Sequence, residues 1–145
     1  MARKVSVKSG PSKFGQLVYI GHHVLQSDEP ADVGGDDSGP DPHELLMASL
    51  GACVNMTTRM YAERKQWPLQ EVEVALSDSR VPGEVGDESD AHIGMVDRLE
   101  LQVSLAGNLS EEQRSALLEV TNRCPIHRML VSQIQIDTKL LAHGS

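Results

Sequence analysis

Aromatic residues are scarce in this chain, since phenylalanine, tryptophan and tyrosine together make up only 3% of its 145 residues. Hydrophobic residues still reach 39%, so the core has to be built from aliphatic side chains. A chain of this length is the size of one domain and buries roughly two-thirds of the surface that its unfolded form exposes. We therefore predict a single domain over residues 1–145.

The chain also lacks a basic stripe and a long apolar run. Its 13 lysines and arginines are scattered and its formal net charge is -8, which argues against a nucleic-acid partner. No run approaches the ~18 apolar residues of a membrane span, and residues 1–4 lead into a polar strand and not into a signal-peptide core. We expect a cytoplasmic protein that binds neither membrane nor nucleic acid.

Only two cysteines are present, too few for a secreted disulfide framework. A reducing compartment keeps such residues as thiols unless chemistry oxidises them. Their role therefore has to be argued from their surroundings.

The N-terminal part predicts short antiparallel strands, because Val5 and Val7 alternate with polar residues and residues 17–25 are largely apolar. Placed in such a strand, His22 and His23 would point to opposite faces and lie at the surface. Residues 27–39 are acidic and rich in glycine, which is typical of a loop.

A long helix is the clearest predicted element. Asp41 is placed as its N-cap, Pro42 at its first position and Glu44 three residues after the cap, and the helix is expected to run to about Gln66. Residues 45–54 are apolar on nearly every side. The front half of the helix is therefore expected to be buried all round.

Further elements follow in the second half of the chain. Alternating residues predict strands at 71–76 and 98–105 with a loop at 82–90 between them. A capping box of Ser110 and Gln113 predicts a helix to about residue 123. Pro125 favours a short helical turn, and residues 133–137 alternate as in a last strand.

Cys53 lies in the middle of the long helix. Helical spacing places oily side chains and a few hydroxyls beside it, namely those of Leu46, Ser49, Leu50, Met56, Thr57 and Met60. The simplest interpretation is a buried cysteine that packs as a small hydrophobe. A reactive thiol is the alternative.

Cys124 has a more specific setting, since Cys124-Pro125-Ile126-His127 places a thiol at the cap of a short helix. Backbone donors and His127 can stabilise a thiolate there, although a simple packing role fits too. Zinc is another alternative, with His43, Cys53, Cys124 and His127 as ligands. Structural zinc sites normally show paired close spacings, and this chain has one Cys-x-x-His.

Two stretches together resemble a known family. Gly-Pro-Asp-Pro-His-Glu-Leu-Leu-Met-Ala-Ser-Leu-Gly-Ala-Cys at 39–53, followed by Cys-Pro-Ile-His at 124–127, is similar to the OsmC/Ohr family. Thr-Arg-Met-Tyr-Ala-Glu-Arg-Lys at 58–65 with Trp67 resembles its broad OsmC-like branch. The order of strands and helices agrees over nearly the whole chain.

The resemblance implies an α+β fold with antiparallel sheets packed around a long buried central helix, in an intertwined homodimer. It implies reduction of organic hydroperoxides without metal or organic cofactor, with Cys53 as the peroxidatic residue and Cys124 as the resolving residue. A dithiol reductant then recycles the disulfide. We expect the substrate pocket to be lined by Leu46, Leu50, Met56 and Met60.

Two departures from the family pattern concern the groups that support the thiolate. The glutamate expected ten positions before the first cysteine is His43 here, with Glu44 next to it. Nine helical residues separate Glu44 from Cys53 by roughly 14 Å, so either residue has to come from a partner subunit. The family also uses an arginine from its N-terminal strands or loops, but this chain has none between Arg3 and Arg59, which leaves Arg128 and Arg59 as substitutes.

Two further hypotheses stay open, and the first of them is motivated by these departures. The chain can be a catalytically weak or inactive dimeric module that binds a small molecule in a stress response. The roles of the two cysteines can also be reversed, with the Cys124 thiol reacting first.

Overall fold

The computed structural model describes residues 3–83 and 94–141 and shows an α+β protein. Its elements form two compact units, residues 1–49 and residues 50–145. Whether both belong to the one predicted domain stays a prediction. No helix within the described ranges is long and apolar enough to cross a membrane.

The first unit contains a three-stranded antiparallel sheet in the order β1-β2-β3, as predicted. Its strands are β1 (Val5–Ser9), β2 (Gln16–Ile20) and β3 (His23–Ser27). Ile20 pairs with His23, so Gly21 and His22 form a two-residue hairpin turn. Gly21 has a φ of 59°, a conformation that suits glycine at the first position of such a turn.

The position of this turn contradicts the prediction that His22 and His23 point to opposite faces of a strand. His22 lies in the turn and not in the strand, and the imidazole rings of His22 and His23 are 4.1 Å apart between centroids. They therefore do not point to opposite faces. Both residues are exposed, as expected.

The predicted acidic loop is organised around one buried carboxylate. Asp28 is only 2% exposed, and it accepts hydrogen bonds from the backbone N–H groups of Glu29, Asp36 and Ser38 and from the Ser38 hydroxyl. Burial by itself raises the pKa of the Asp28 carboxyl, but these hydrogen bonds outweigh burial and hold that pKa below its ordinary value.

The lowered pKa predicts an acid-sensitive loop. The contribution of Asp28 to stability is fully present above the unfolded-state pKa of about 3.9 and is lost as the pH falls through the lower folded-state pKa. We expect Asp28→Asn to destabilise the protein at pH 7, because an amide N–H₂ then faces several N–H donors. Urea unfolding from pH 7 to pH 3 measures the difference from wild type, which should shrink below about pH 4. Asp32→Asn, in an exposed position of the same loop, is the control; equal effects of both variants would contradict the assignment.

Helix α1 (Pro42–Lys65) begins and ends close to where it was predicted. The Asp41 carboxylate accepts the Glu44 N–H at 2.8 Å, and the Glu44 carboxylate accepts the Asp41 N–H at 2.9 Å, which forms a capping box. At the other end Gln66 has a φ of 58°, and the N–H groups of Gln66 and Trp67 reach back to the carbonyls of Glu63 and Ala62. This is a Schellman arrangement, which ends the helix.

The burial of α1 differs from the prediction. Its buried residues recur at helical spacing along one face, and they are Leu50, Gly51, Val54, Thr58 and Ala62. Leu46 is 43% exposed and Met56 is 59% exposed. The expectation that the front half is buried all round is therefore wrong for one chain, in which these apolar side chains remain uncovered.

The second unit pairs two long antiparallel strands, β4 (Leu69–Pro82) and β5 (Met95–Gly107). They include both predicted strands, whereas most of the predicted loop at 82–90 lies outside the described residues. Alternate side chains of the pair pack against the buried cluster of Leu50, Val54 and Cys124, and these are Val74, Leu76, Leu99 and Leu101. A Cβ atom on Gly51 would lie 2.8 Å from the Leu76 Cδ1 atom, so glycine permits the close approach of helix and strand.

The last elements are helical. Helix α2 (Glu111–Val120) starts with the predicted Ser110–Gln113 capping box and continues as a 3-10 helix to Arg123. Helix α3 (Pro125–Leu130) follows. The predicted strand at 133–137 is wrong for this chain: these residues form no regular element, because no described strand pairs with them.

Candidate functional site

The structure joins Cys53 of α1 to Cys124, the residue before α3, in a disulfide. The two Cα atoms are 5.9 Å apart, inside the range that a disulfide needs. The two residues are 71 positions apart in the sequence, so helical packing of the second unit brings them together.

The disulfide lies in an aliphatic environment. Leu50, Val54 and Cys124 form a buried cluster, and Cys53, Ile126 and Leu130 pack against it. Water is largely excluded from this cluster, so a reaction here takes place next to apolar side chains. An apolar part of a substrate gains from such contacts.

The two cysteines differ in burial. Cys124 is fully buried, whereas Cys53 is only partly buried. A reagent from solvent therefore meets Cys53 more readily than Cys124.

Cys124 caps helix α3 with its own side chain. Its Sγ atom accepts the backbone N–H of His127 at 3.4 Å, and Pro125 occupies the first helical turn, as predicted. A hydrogen bond from an N–H group favours the thiolate form of such a sulfur. The imidazole Nδ1 atom of His127 is buried and has no hydrogen-bond partner among the described residues. The histidine thus adjoins the site, and its supporting role stays a prediction.

Glu44 and His43 lie in the exposed first turn of α1. The Glu44 carboxylate is used in the capping box with Asp41. Nine helical residues still separate Glu44 from Cys53, so the proposed role of either residue at the cysteine requires a second copy of the chain.

Arg59 and Arg128 were predicted to replace the family's arginine. No contact among the described residues directs either guanidinium toward the cysteines. The Arg59 guanidinium donates to the carbonyl of Gln70 at 3.4 Å. Arg128 is exposed on α3, and its guanidinium makes no ion pair or hydrogen bond within residues 3–83 and 94–141. Both roles remain predictions.

The four residues expected to line the substrate pocket lie in different surroundings. Leu50 is 3% exposed and belongs to the buried cluster, whereas Met56 is 59% exposed. Leu46 is exposed in the first unit. Met60 lines a pocket of about 290 Å³ together with Thr57, Tyr61, Arg64, Val120 and Arg123.

Sequence reasoning did not name this last pocket. Part of it was detectable, since Thr57, Met60 and Arg64 follow Cys53 at intervals of four, three and four residues, on one helical face. Arg123 directly precedes Cys124 in the sequence. Only the packing of the helices places these two groups around one cavity.

Several solved structures share this fold over most of the length of the chain. An OsmC-like protein from Mycoplasma pneumoniae is 18% identical, with a TM-score of 0.71 over 90% of this chain and 87% of that one. A Legionella pneumophila organic hydroperoxide resistance protein OsmC is 18% identical, with a TM-score of 0.64 over 90% of each chain. The organic hydroperoxide resistance protein OhrB of Bacillus subtilis is 20% identical, with a TM-score of 0.61 over 90% of this chain and 91% of that one.

No curated protein sequence matches the chain. The family model of OsmC-like proteins, however, matches residues 35–139, which include all of α1, both cysteines and the helices that carry Cys124. With this match and the shared fold, the chain belongs to the family of OsmC-like proteins.

Proposed function

We propose that this protein reduces organic hydroperoxides with Cys53 as the peroxidatic and Cys124 as the resolving cysteine. The observation that carries the proposal is the Cys53–Cys124 disulfide, which joins a partly buried cysteine to a fully buried one. The fold shared with proteins described as organic hydroperoxide resistance proteins supports the choice of substrate.

The reaction needs only the two thiols and an external reductant. The Cys53 thiolate attacks one peroxide oxygen, the O–O bond breaks, and the leaving alkoxide takes a proton and departs as an alcohol. Cys53 becomes a sulfenic acid, and the Cys124 thiol displaces its hydroxyl as water to form the disulfide. A dithiol then reduces the disulfide by exchange and is itself oxidised. A reducing compartment supplies such a dithiol, so we propose a cytoplasmic location.

We further propose that the protein works as a homodimer. One chain leaves large apolar side chains exposed, with Leu46 at 43%, Met56 at 59% and Ile136 at 80%. A second copy that covers these residues removes them from water. In such a dimer, Glu44 or His43 of one chain lies close to Cys53 of the other.

Stoichiometric oxidation tests the proposal. We expect one equivalent of an alkyl hydroperoxide to consume both thiols of the reduced protein, since each peroxide takes two electrons. Mass spectrometry should then find the peptide that contains Cys53 linked to the peptide that contains Cys124. Light scattering tests the homodimer and should give the mass of two chains. Free thiols that persist after the exposure contradict the proposal.

The structure also offers support for a second candidate function, a catalytically weak module that binds a small molecule. The Arg59 guanidinium is bound to the Gln70 carbonyl and Arg128 is exposed, so no described contact holds either of these two arginines at the cysteine pair. Slow alkylation of reduced Cys53 at neutral pH would favour this candidate. Rapid and selective alkylation of Cys53 counts against it.

A further inference from the structure

The imidazole of His127 contains a buried nitrogen that no described group satisfies. Its Nδ1 atom is removed from water and has no hydrogen-bond partner among residues 3–83 and 94–141. The residue as a whole is only half-buried. Buried polar atoms in folded proteins nearly always have a partner, and leaving one without a partner costs free energy. An unsatisfied nitrogen next to a cysteine pair therefore indicates a role in the chemistry of that pair.

The position of His127 in α3 explains why the usual partner is missing. His127 is the third residue of the helix, where a capping-box side chain accepts the N–H of the cap residue. The cap residue here is Cys124, and its N–H donates to the Thr121 carbonyl at 3.4 Å. The backbone donor of a capping box is therefore already in use, and a different donor has to satisfy the Nδ1 atom.

Reduction of the disulfide creates such a donor. A disulfide sulfur carries no proton, whereas a thiol S–H group is a donor. The Cys124 Sγ atom lies 3.4 Å from the backbone nitrogen of His127. Side chains on a helix lean toward its N-terminus, and Nδ1 is the ring nitrogen nearer the backbone, so it lies on the side of the ring that faces Cys124. The Cys124 thiol can therefore donate its proton to Nδ1.

A buried thiol needs such an acceptor before it can react. Cys124 is fully buried, so its proton has no direct access to water, and an isolated buried thiolate loses its hydration. The backbone N–H of His127 compensates for part of that loss, because it donates to the sulfur. His127 thus combines a donor for the thiolate with an acceptor for the proton.

We propose that the Nδ1 atom of His127 is the base that takes the proton of the Cys124 thiol while the disulfide closes. The inference rests on the proposed function, because the step needs a sulfenic acid at Cys53. The Cys124 thiolate attacks the Cys53 sulfur, so the S–S bond forms and the S–O bond breaks. The Cys124 sulfur is oxidised and the Cys53 sulfur is reduced. The leaving hydroxide takes the proton from the imidazolium and departs as water, which leaves the histidine neutral again.

The rate of disulfide closure tests the step. We expect His127→Leu to slow the loss of the Cys53 sulfenic acid roughly tenfold to a hundredfold, while the attack of Cys53 on an alkyl hydroperoxide changes much less. His127→Asn retains an oxygen acceptor near the Nδ1 position but takes up no proton at neutral pH, so it should also slow closure. Stopped-flow mixing with dimedone capture at successive times measures both steps.

His22→Leu is the matched control, since His22 is exposed in the hairpin turn, and it should close at the wild-type rate. Equal closure rates in wild type and both His127 variants overturn this inference alone. If no sulfenic acid forms at Cys53, the inference is overturned together with the proposed function.

The S–H stretching band of Cys124 tests the hydrogen bond without any peroxide. Reduced Cys53→Ser contains a single thiol, because the chain has two cysteines. We expect its infrared S–H band at a lower frequency than that of Cys53→Ser/His127→Leu, because a nitrogen acceptor weakens the S–H bond. Cys53→Ser/His22→Leu should keep the low-frequency band. Identical bands in all three variants overturn the hydrogen bond and the base with it, and they leave the proposed function standing.

Discussion

Replacing Cys53 with serine is expected to lower the rate of hydroperoxide reduction on the order of a thousandfold or more, because the attacking nucleophile is lost. Replacing Cys124 with serine is expected to leave the first reduction intact and to stop the cycle afterwards, with a sulfenic acid at Cys53 that dimedone traps. The asymmetry follows from accessibility, since Cys124 is fully buried and Cys53 is only partly buried. Stopped-flow measurement of peroxide consumption, with mass spectrometry of the trapped adduct, checks both parts.

The same pair of variants tests the reversed assignment. If the Cys124 thiol reacts first, Cys124→Ser abolishes consumption and Cys53→Ser accumulates a sulfenic acid at Cys124. Ser49→Ala is a suitable control on α1, because Ser49 lies one helical turn from Cys53 and its hydroxyl donates to the Leu46 carbonyl at 3.0 Å. A loss of activity in this control would point to damage to the helix and not to the chemistry.

The helix starts of this fold could be predicted because each depends on residues within one turn. Asp41 with Glu44, Ser110 with Gln113, and Cys124 before Pro125 all form the caps that their spacing indicates. The prediction of a last strand at 133–137 failed, since a strand needs a pairing partner that its own sequence does not contain. Its apolar residues include Ile136, which is 80% exposed in one chain.

The candidate site was predictable only in part. The spacing of Cys53 and Cys124, 71 residues apart, says nothing about their distance in space, and it was the family resemblance that implied their pairing. The Cys124 thiol at a helix cap, in contrast, followed from Pro125 alone. The pocket with Arg64 and Arg123 was missed because these residues meet only through packing of two helical segments.

The oxidised protein is expected to be more stable to unfolding than the dithiol form by about 4 kcal/mol, because the disulfide closes a long loop in the unfolded chain. Urea unfolding of the oxidised protein and of the protein with reductant, each followed separately, measures this difference. Cys53→Ser/Cys124→Ser should unfold at the same urea concentration with and without reductant. Equal stability of both wild-type forms would contradict the expectation.

This stabilisation also affects the reductant that the cycle needs. In a thermodynamic cycle two free energies are equal. The amount by which the disulfide stabilises the folded state is also the amount by which folding stabilises the disulfide relative to the two thiols. About 4 kcal/mol corresponds to roughly 90 mV for a two-electron couple, so the folded protein is harder to reduce than the same cysteines in the unfolded chain. Equilibration with glutathione buffers in water and in denaturant measures this shift, and we expect the folded form to stay oxidised at glutathione ratios that reduce the unfolded form. A dithiol, which closes its own disulfide as it reduces another, is the class of reductant that overcomes this preference.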